Sequence, residues 1–216
     1  MRTLSIALFT EGPTDADFFL PLLARVSIDL LSRQARHPSR VADPVWLRGR
    51  LSTDAFADRV EKDGRGFDVV VVHTDGGGDP QRALAERIEP WFASVADKSR
   101  AEGLVPLVPI RETEAWMLAD SASLAEVFGT KIDRRELGLP THSRDVESIT
   151  DPKRKLHELN VTLRGPRRAR KVGSRPLYAA LGQTVSLSVL ANVPAFVRFR
   201  EKFAGVLQRT RYIQEE

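Results

Sequence analysis

Two acidic segments that also contain glycine have the residue types needed for metal-assisted chemistry on phosphates. Glu11 begins the segment Glu-Gly-Pro-Thr-Asp, and Asp75 lies in the segment His-Thr-Asp-Gly-Gly-Gly-Asp at residues 73–79. Both acids follow apolar runs typical of strands, and the carboxyl ends of neighbouring parallel strands open onto one ligand-binding crevice. Two carboxylates facing one crevice repel each other, and a divalent cation relieves this repulsion while it binds phosphate oxygens. We therefore predict that Glu11 and Asp75 form the centre of a metal site.

The elements that must position these acids alternate along the chain between short β-branched runs and longer helical patterns. Strands are predicted at residues 3–9, 45–47, 67–73 and 104–110, and helices from about residue 14, at 53–62, at 80–95 and at 115–118. Residues 69–72 are four consecutive valines, as expected of a central strand buried on both faces. Thr14 and Asp17 have the spacing of a capping box. The alternation predicts an α/β fold with a mostly parallel, Rossmann-like sheet of about four strands flanked by helices.

The chain beyond residue 120 has a different character. A short helix is predicted at residues 123–128, followed by a polar, proline-containing loop or lid to about residue 152 and by helices at 153–159, 177–181 and 195–207. The last of these has Phe196, Phe199, Phe203 and Leu207 on one face. We divide the chain into a catalytic core at 1–120 and a mainly helical, basic extension at 121–216 that packs on the core.

Charge is distributed unevenly along the chain. Its net charge is +4, but residues 151–216 hold 14 Lys and Arg against 5 Asp and Glu. The dense basic run at residues 164–171 is expected to be exposed and mobile. Because each cation near a phosphate releases condensed counterions, the basic extension favours a nucleic-acid partner, although a solvated basic surface explains the same charges. The residues predicted to contact nucleic acid are Lys153, Arg167, Arg168, Arg170 and Lys171.

Composition restricts the chemistry and the location. The chain has no cysteine, so thiolate chemistry is excluded, and a metal must be held by carboxylates or by the four histidines. Such ligands favour Mg²⁺ or Mn²⁺ over zinc. The apolar run at residues 4–9 is too short for a signal peptide, and about eighteen consecutive apolar residues, as in a membrane span, are not found. We expect a cytoplasmic protein without a membrane partner.

The arrangement of a strand, Glu-Gly-x-x-Asp, a helix and a second strand ending in Asp resembles the Toprim domain superfamily. The chain is also similar to a branch of Toprim-like nucleases, a domain of unknown function, encoded with ATPases of the overcoming-lysogenization-defect and recombination type. Three further stretches carry this similarity, at residues 109–120, 151–153 and 193–199. The resemblance implies that Glu11 is a general acid or base, that Asp75 binds metal and that Glu114 is the third acid of the catalytic group.

One position departs from the usual Toprim pattern. Gly77 stands where that pattern has a second Asp, two residues after Asp75. Asp79, Glu112 or Glu114 could replace this ligand, and without a replacement the protein would bind but not cut. Asp79 could equally cap the helix that follows it. Asp15 is a secondary candidate, because an acid in the first turn of a helix is favoured by the helix dipole alone.

These observations lead to one predicted function and one alternative. We predict a Mg²⁺-dependent or Mn²⁺-dependent nuclease that hydrolyses DNA or RNA, gated by an ATPase partner in anti-phage defence or repair, and compatible with a homo-oligomer. In the alternative, the chain is a non-catalytic Toprim-like adaptor that binds nucleic acid or the ATPase. His73, within the predicted central strand, is interpreted as a core histidine rather than a ligand.

Overall fold

A computed structural model describes residues 1–10, 12–48, 52–95 and 102–214. Within these ranges the main sheet has four parallel strands in the order β4-β2-β5-β6, and β1 pairs with β3 in a separate parallel sheet. The strands are β1 Arg2–Leu4, β2 Ile6–Thr10, β3 Ser39–Val41, β4 Val45–Arg48, β5 Val69–His73 and β6 Leu104–Leu107. The predicted α/β fold with a parallel four-stranded sheet is confirmed.

The two central strands are buried along their whole length. Every residue of β2 and β5 is buried, and Leu8 of β2 is in register with Val71 of β5. Successive side chains of a strand point to opposite faces. Leu8 and Val71 accordingly lie in one hydrophobic core, whereas Phe9 and Val72 lie in a second core on the other face. A sheet covered on both faces explains why the valine run has no polar alternation.

The first predicted strand is divided in two at Ser5. Both the backbone N–H and the hydroxyl of Ser5 donate to Asp68 Oδ2, at 2.8 and 2.7 Å. Residues 2–4 therefore leave the main sheet and pair with β3, a strand that was not predicted. The division leaves the carboxyl end of β2 in the main sheet beside β5, as expected.

The helices surround this sheet and form most of the chain after β6. They are α1 Pro13–Gln34, α2 Thr53–Lys62, α3 Pro80–Ala83, α4 Glu89–Ser94, α5 Glu114–Met117, α6 Ser121–Phe128, α7 Pro152–Arg164, α8 Pro166–Val172, α9 Arg175–Thr184, α10 Leu187–Leu190 and α11 Pro194–Arg209. A π-helical segment, Leu84–Ile88, joins α3 to α4, and 3-10 segments occupy Gly64–Gly66 and Ser143–Ser148. The predicted helical C-terminal part is confirmed.

Two local predictions about the helices were wrong. The capping box of Thr14 and Asp17 does not form, because Gly12 is the N-cap of α1 without a side-chain bond and Asp17 pairs instead with Arg175 at 2.6 Å. The basic run at 164–171 was placed between two predicted helices, but it runs from the end of α7 into α8.

The helical part packs on the same core as the sheet. Helix α9 lies so close to α1 that a Cβ atom on Gly182 would come within 2.2 Å of the Phe18 carbonyl oxygen. Trp116 makes edge contacts with Phe19 of α1 and with Phe196 of α11. Residues before and after 120 thus share one hydrophobic core. No helix within the described ranges combines the length and apolarity needed to cross a bilayer.

Candidate active site

Asp75 lies just beyond the carboxyl end of β5 and is half exposed, with 45% of its side chain accessible. Its Oδ1 accepts a hydrogen bond from the backbone N–H of Thr113 at 3.1 Å. The hydroxyl of Thr113 donates to Asp15 Oδ1 at 2.9 Å. Thr113 thus joins the acid that follows the central strand to the acid in the first turn of α1. We call Asp15, His73, Asp75 and Thr113 the acidic cluster.

His73 is the last residue of β5, and its side chain faces the other members of the acidic cluster. Its Nδ1 lies 3.1 Å from the carbonyl oxygen of Leu107, which can only accept, so Nδ1 carries a proton and Nε2 faces the cluster. Nε2 is 3.2 Å from Thr113 Oγ1, 3.6 Å from Asp75 Oδ1 and 3.9 Å from Asp15 Oδ1. His73 is therefore a buried histidine, as interpreted from the sequence, and also a neighbour of both carboxylates.

The surroundings of Asp75 disfavour its ionised form. Burial raises the pKa of Asp75, and the negative charges of Asp15 and Glu112 raise it further, against the opposing effects of His73 and the Thr113 N–H. In the part of the chain that the structure describes, His73 is the neighbouring basic group of Asp15 and Asp75, and neither acid is paired with Lys or Arg. A cation that binds here would relieve the repulsion between the two acids.

Glu114 begins α5 and is almost fully buried, with 4% of its surface exposed. Its Oε1 accepts a 2.5 Å hydrogen bond from the hydroxyl of Tyr178 in α9. Burial raises the pKa of Glu114, although the Tyr178 bond and the charge of Lys153 act in the other direction. Burial and the Glu114 carboxylate also raise the pKa of Tyr178 well above its usual range. The hydrogen bond between Glu114 and Tyr178 therefore links α5, which follows β6, to α9.

Two other predicted acids are used in helix capping. Glu112 Oε2 accepts from the backbone N–H of Lys153 at 3.1 Å, in the first turn of α7. Asp79 Oδ1 accepts from the backbone N–H of Arg82 at 2.9 Å and so caps α3. The structure therefore gives Asp79 the capping role that the sequence also allowed, and gives Glu112 a role in anchoring α7.

The glycine turn after Asp75 docks on the next strand-end loop. The N–H groups of Gly76, Gly77 and Gly78 donate to the carbonyl oxygens of Pro109, Arg111 and Ile110. A Cβ atom at Gly76 would come within 2.3 Å of the Pro109 oxygen, so only glycine fits there. Gly77 has a φ of +61°, and a Cβ atom on it would meet no atom of the described residues within 4 Å.

Glu11, the first of the predicted catalytic acids, lies outside the described residues. Among the residues that are described, no three His, Asp or Glu side chains come together as a metal-binding group. The donor chemistry of the acidic cluster still suits a hard cation, because it offers carboxylate and hydroxyl oxygens and Asp75 is accessible. Asp15 and Asp75 are the described residues that could hold such an ion, together with Glu11 as predicted from the sequence.

The residues predicted to contact nucleic acid lie on α7 and α8. Lys153 is exposed at the start of α7, and Arg167 and Lys171 are exposed on α8. The side chains of Arg168 and Arg170 are outside what the structure describes. Lys153 connects the predicted nucleic-acid-binding residues to the candidate active site. Its backbone N–H donates to Glu112, and its charge acts to lower the pKa of Glu114.

Glu147 was missed by the sequence reasoning, yet it connects two of the three stretches that carried the family resemblance. It is buried, with its Oε1 accepting from Trp116 Nε1 and its Oε2 accepting from the backbone N–H of Ala195, both at 3.1 Å. Trp116 belongs to the stretch 109–120 and Ala195 to the stretch 193–199. The stretch 151–153 meets the first of these through Glu112 and Lys153. A single Glu in a polar segment gives no signal of such a role.

Comparison with known proteins identifies a family but no described relative. Neither the curated proteins nor the solved structures include a match. A family model covers residues 10–182, which is more than half of the chain and includes the acidic cluster, Glu114 and Tyr178. The chain therefore belongs to the family described as Domain of unknown function (DUF4276).

Proposed function

We propose that this protein is a metal-dependent nuclease of the Toprim type that hydrolyses phosphodiester bonds in DNA or RNA. The observation that carries the proposal is the pairing of Asp15 and Asp75 through Thr113 at the carboxyl end of the central strand, with no Lys or Arg neutralising either acid among the described residues. An acidic, accessible site beside exposed cations suits a divalent ion and a phosphate.

The roles follow from the positions of the side chains. Asp75, with Asp15 and Glu11, would hold Mg²⁺ or Mn²⁺. When bound, such an ion would neutralise charge on the scissile phosphate and activate a water molecule. Glu11 would transfer the proton, as the Toprim resemblance implies. Thr113 and His73 would orient the carboxylates, and Tyr178 would fix Glu114 beneath them.

The partner belongs to the same proposal and is supported by the resemblance alone. We propose that an ATPase of the recombination or defence type gates the cleavage and that the protein acts in the cytoplasm. The exposed cations Lys153, Arg167 and Lys171 would contact the nucleic-acid backbone without reading its sequence.

Labelled single-stranded DNA, duplex DNA and RNA, incubated with Mg²⁺, Mn²⁺ or EDTA, test the activity. We expect the wild type to cleave at least one of them only with metal, and we expect Asp75→Asn or Glu11→Gln to lower the rate by roughly 10²-fold or more. Asp58→Asn is the matched control, because Asp58 is exposed on α2 and, among the described residues, forms its ion pair with Lys62 in its own helix. Cleavage that persists in EDTA or in Asp75→Asn would contradict the proposal.

A second measurement tests metal binding independently of cleavage. Mn²⁺ binding, followed by the paramagnetic signal of the free ion, should weaken in Asp75→Asn and stay unchanged in Asp58→Asn. Equal Mn²⁺ binding by all three proteins would contradict the role given to Asp75, whatever the cleavage assay shows.

A non-catalytic adaptor is the second candidate, and specific observations favour it. Gly77 supplies no side chain where the Toprim pattern has its second Asp, and Asp79 and Glu112 are occupied with the helix termini of α3 and α7. Salt-dependent binding of nucleic acid without cleavage under any metal condition would support the adaptor over the nuclease.

A further inference from the structure

A cleft of about 250 Å³ lies between α7 and α9 beside the candidate active site. Its lining is Thr14, Lys153, Leu156, His157, Asn160, Ser174, Leu177 and Tyr178. Leu156 and Leu177 are buried and form apolar walls, whereas Lys153 and His157 lie exposed at its rim. We call this space the amide cleft, after Asn160.

The burial of the Asn160 side chain at the amide cleft is not explained by a gain in fold stability. It is 93% buried, since only 7% of its surface is exposed, and its Oδ1 has no hydrogen-bond partner among the described residues. A buried amide oxygen without a partner costs about 1–3 kcal/mol relative to a satisfied one. Because the amide can turn about its Cβ–Cγ bond, a ligand in the cleft can meet its acceptor or its two donors. A ligand in the cleft could therefore make a hydrogen bond that the described residues do not supply.

The amide cleft shares two walls with the candidate active site. Tyr178 lines the cleft while its hydroxyl binds Glu114, and Lys153 lines it while its backbone N–H binds Glu112. Thr14 precedes Asp15 of the acidic cluster. A ligand in the cleft therefore lies next to whatever occupies the acidic cluster.

We propose that the amide cleft binds one unpaired nucleobase of the nucleic acid whose backbone lies at the acidic cluster. The inference rests on the proposed function, and it adds that the substrate must present an unstacked base, as single strands and frayed ends do. An asparagine amide offers one acceptor and two donors and so matches the hydrogen-bonding edge of a base. Enzymes that hold an extruded base combine such edge contacts with apolar or aromatic walls, as Leu156, Leu177 and Tyr178 provide here.

The size and charge of the surroundings agree with this ligand. Cavities that enclose drug-sized ligands measure roughly 300–1,000 Å³, so a cleft of about 250 Å³ suits a smaller planar group such as one base. Lys153 at the rim, and Arg167 and Lys171 on the adjoining α8, place positive charge where the phosphates next to that base would run.

Binding assays in EDTA test the inference separately from cleavage. Fluorescence anisotropy would compare the wild type with Asn160→Leu on three labelled probes: a mixed-sequence single strand, the same strand with abasic sites, and a blunt duplex. Single-stranded DNA and RNA would both be used. Asn192→Leu is the control variant, because Asn192 is the other asparagine of the chain and its exposed amide binds Ser188 within α10.

We expect Asn160→Leu to weaken binding of the base-containing single strand about tenfold, within the range of one amide–base contact. Binding of the abasic strand and of the duplex should stay unchanged, and Asn192→Leu should match the wild type on every probe. Because Oδ1 has no partner to lose, Asn160→Leu should not lower the urea midpoint of unfolding. Destabilised protein would mean that Asn160 has a structural role and would overturn the inference.

Two further outcomes would also overturn the inference. The abasic strand binding as tightly as the intact strand would be one, and equal weakening of all three probes by Asn160→Leu would be the other. Failure of the proposed function looks different: base-dependent binding would persist while no metal supports cleavage. If Asn160→Leu cleaves like the wild type and all probes bind equally, the proposed nuclease activity is retained and the base-binding role of the amide cleft is refuted.

Discussion

Helices α1 and α9 approach so closely at Gly182 that Gly182→Ala should destabilise the protein. The added Cβ would lie 2.2 Å from the Phe18 carbonyl oxygen and 2.8 Å from Pro21 Cγ. A backbone carbonyl within a helix cannot turn aside, so α9 must shift. Overpacking of this kind costs about 3 kcal/mol at the upper end of its usual range, and the better helix propensity of alanine returns about 1 kcal/mol. The net expected loss is about 2 kcal/mol.

A matched substitution in another helix isolates the steric term. Among the described atoms, a Cβ atom on Gly205 of α11 would meet Arg209 Nη1 at 3.6 Å, which is an ordinary van der Waals contact. Gly205→Ala should therefore gain the propensity term and raise the free energy of unfolding by about 1 kcal/mol. Urea and thermal unfolding of both variants would be compared with the wild type. A loss of about 2 kcal/mol corresponds to a fall in Tm of roughly 4–8 °C for a protein of this size.

The result that would refute the reasoning is Gly182→Ala with the stability of the wild type or above it. It would mean that the helices separate without cost and that their contact does not hold α9 in place. Because Tyr178 lies in the same helix, we also expect Gly182→Ala to lose the proposed nuclease activity at temperatures well below its midpoint of unfolding.

Three other variants give distinct expectations. Burial raises the pKa of Glu114, so the unfolded chain loses this proton first, and the free energy of unfolding falls as pH rises from about 4.5 to the raised value. Glu114→Gln can still accept from Tyr178, so its free energy of unfolding should rise relative to that of the wild type across this interval, by about 1.4 kcal/mol for each unit by which the pKa is raised. A difference in urea unfolding that stays flat or falls with pH would contradict this. Glu147→Gln should instead lose about 1–3 kcal/mol in the same assay, because its amide NH₂ would face an N–H donor, and unchanged stability would count against the bridging role. Removing both charges in Arg167→Ala with Lys171→Ala should reduce the salt-dependence slope of single-strand binding by about 1.4, and a slope equal to that of the wild type would exclude both from the interface.

Local patterns were sufficient to predict most of the elements. The valine run became the central strand β5, and the pattern at 53–62 became α2 with the same bounds. The break at Ser5 was not predictable, because it depends on Asp68, which is 63 residues away in sequence. Helix α8 was not predicted, because a basic run has no apolar periodicity by which a helix is recognised.

The candidate site was predictable where position along a strand decides it. Asp75 follows from the rule that strand ends line the crevice of a parallel sheet. The role of Thr113 could not be foreseen, because it depends on one hydroxyl meeting Asp15 from a segment 98 residues distant. Glu112 and Glu114 are two residues apart and lie in different surroundings, since one caps α7 and the other is buried against Tyr178.

The backbone at Gly77 is in the left-handed region and leaves space for a Cβ atom, so this position could accept a residue other than glycine. Aspartate is one of the few residues that enters the left-handed region at small cost, and no described atom lies within 4 Å of the place where its Cβ would be. The described backbone therefore does not forbid an aspartate at position 77, and Gly77→Asp would place a second carboxylate two residues after Asp75.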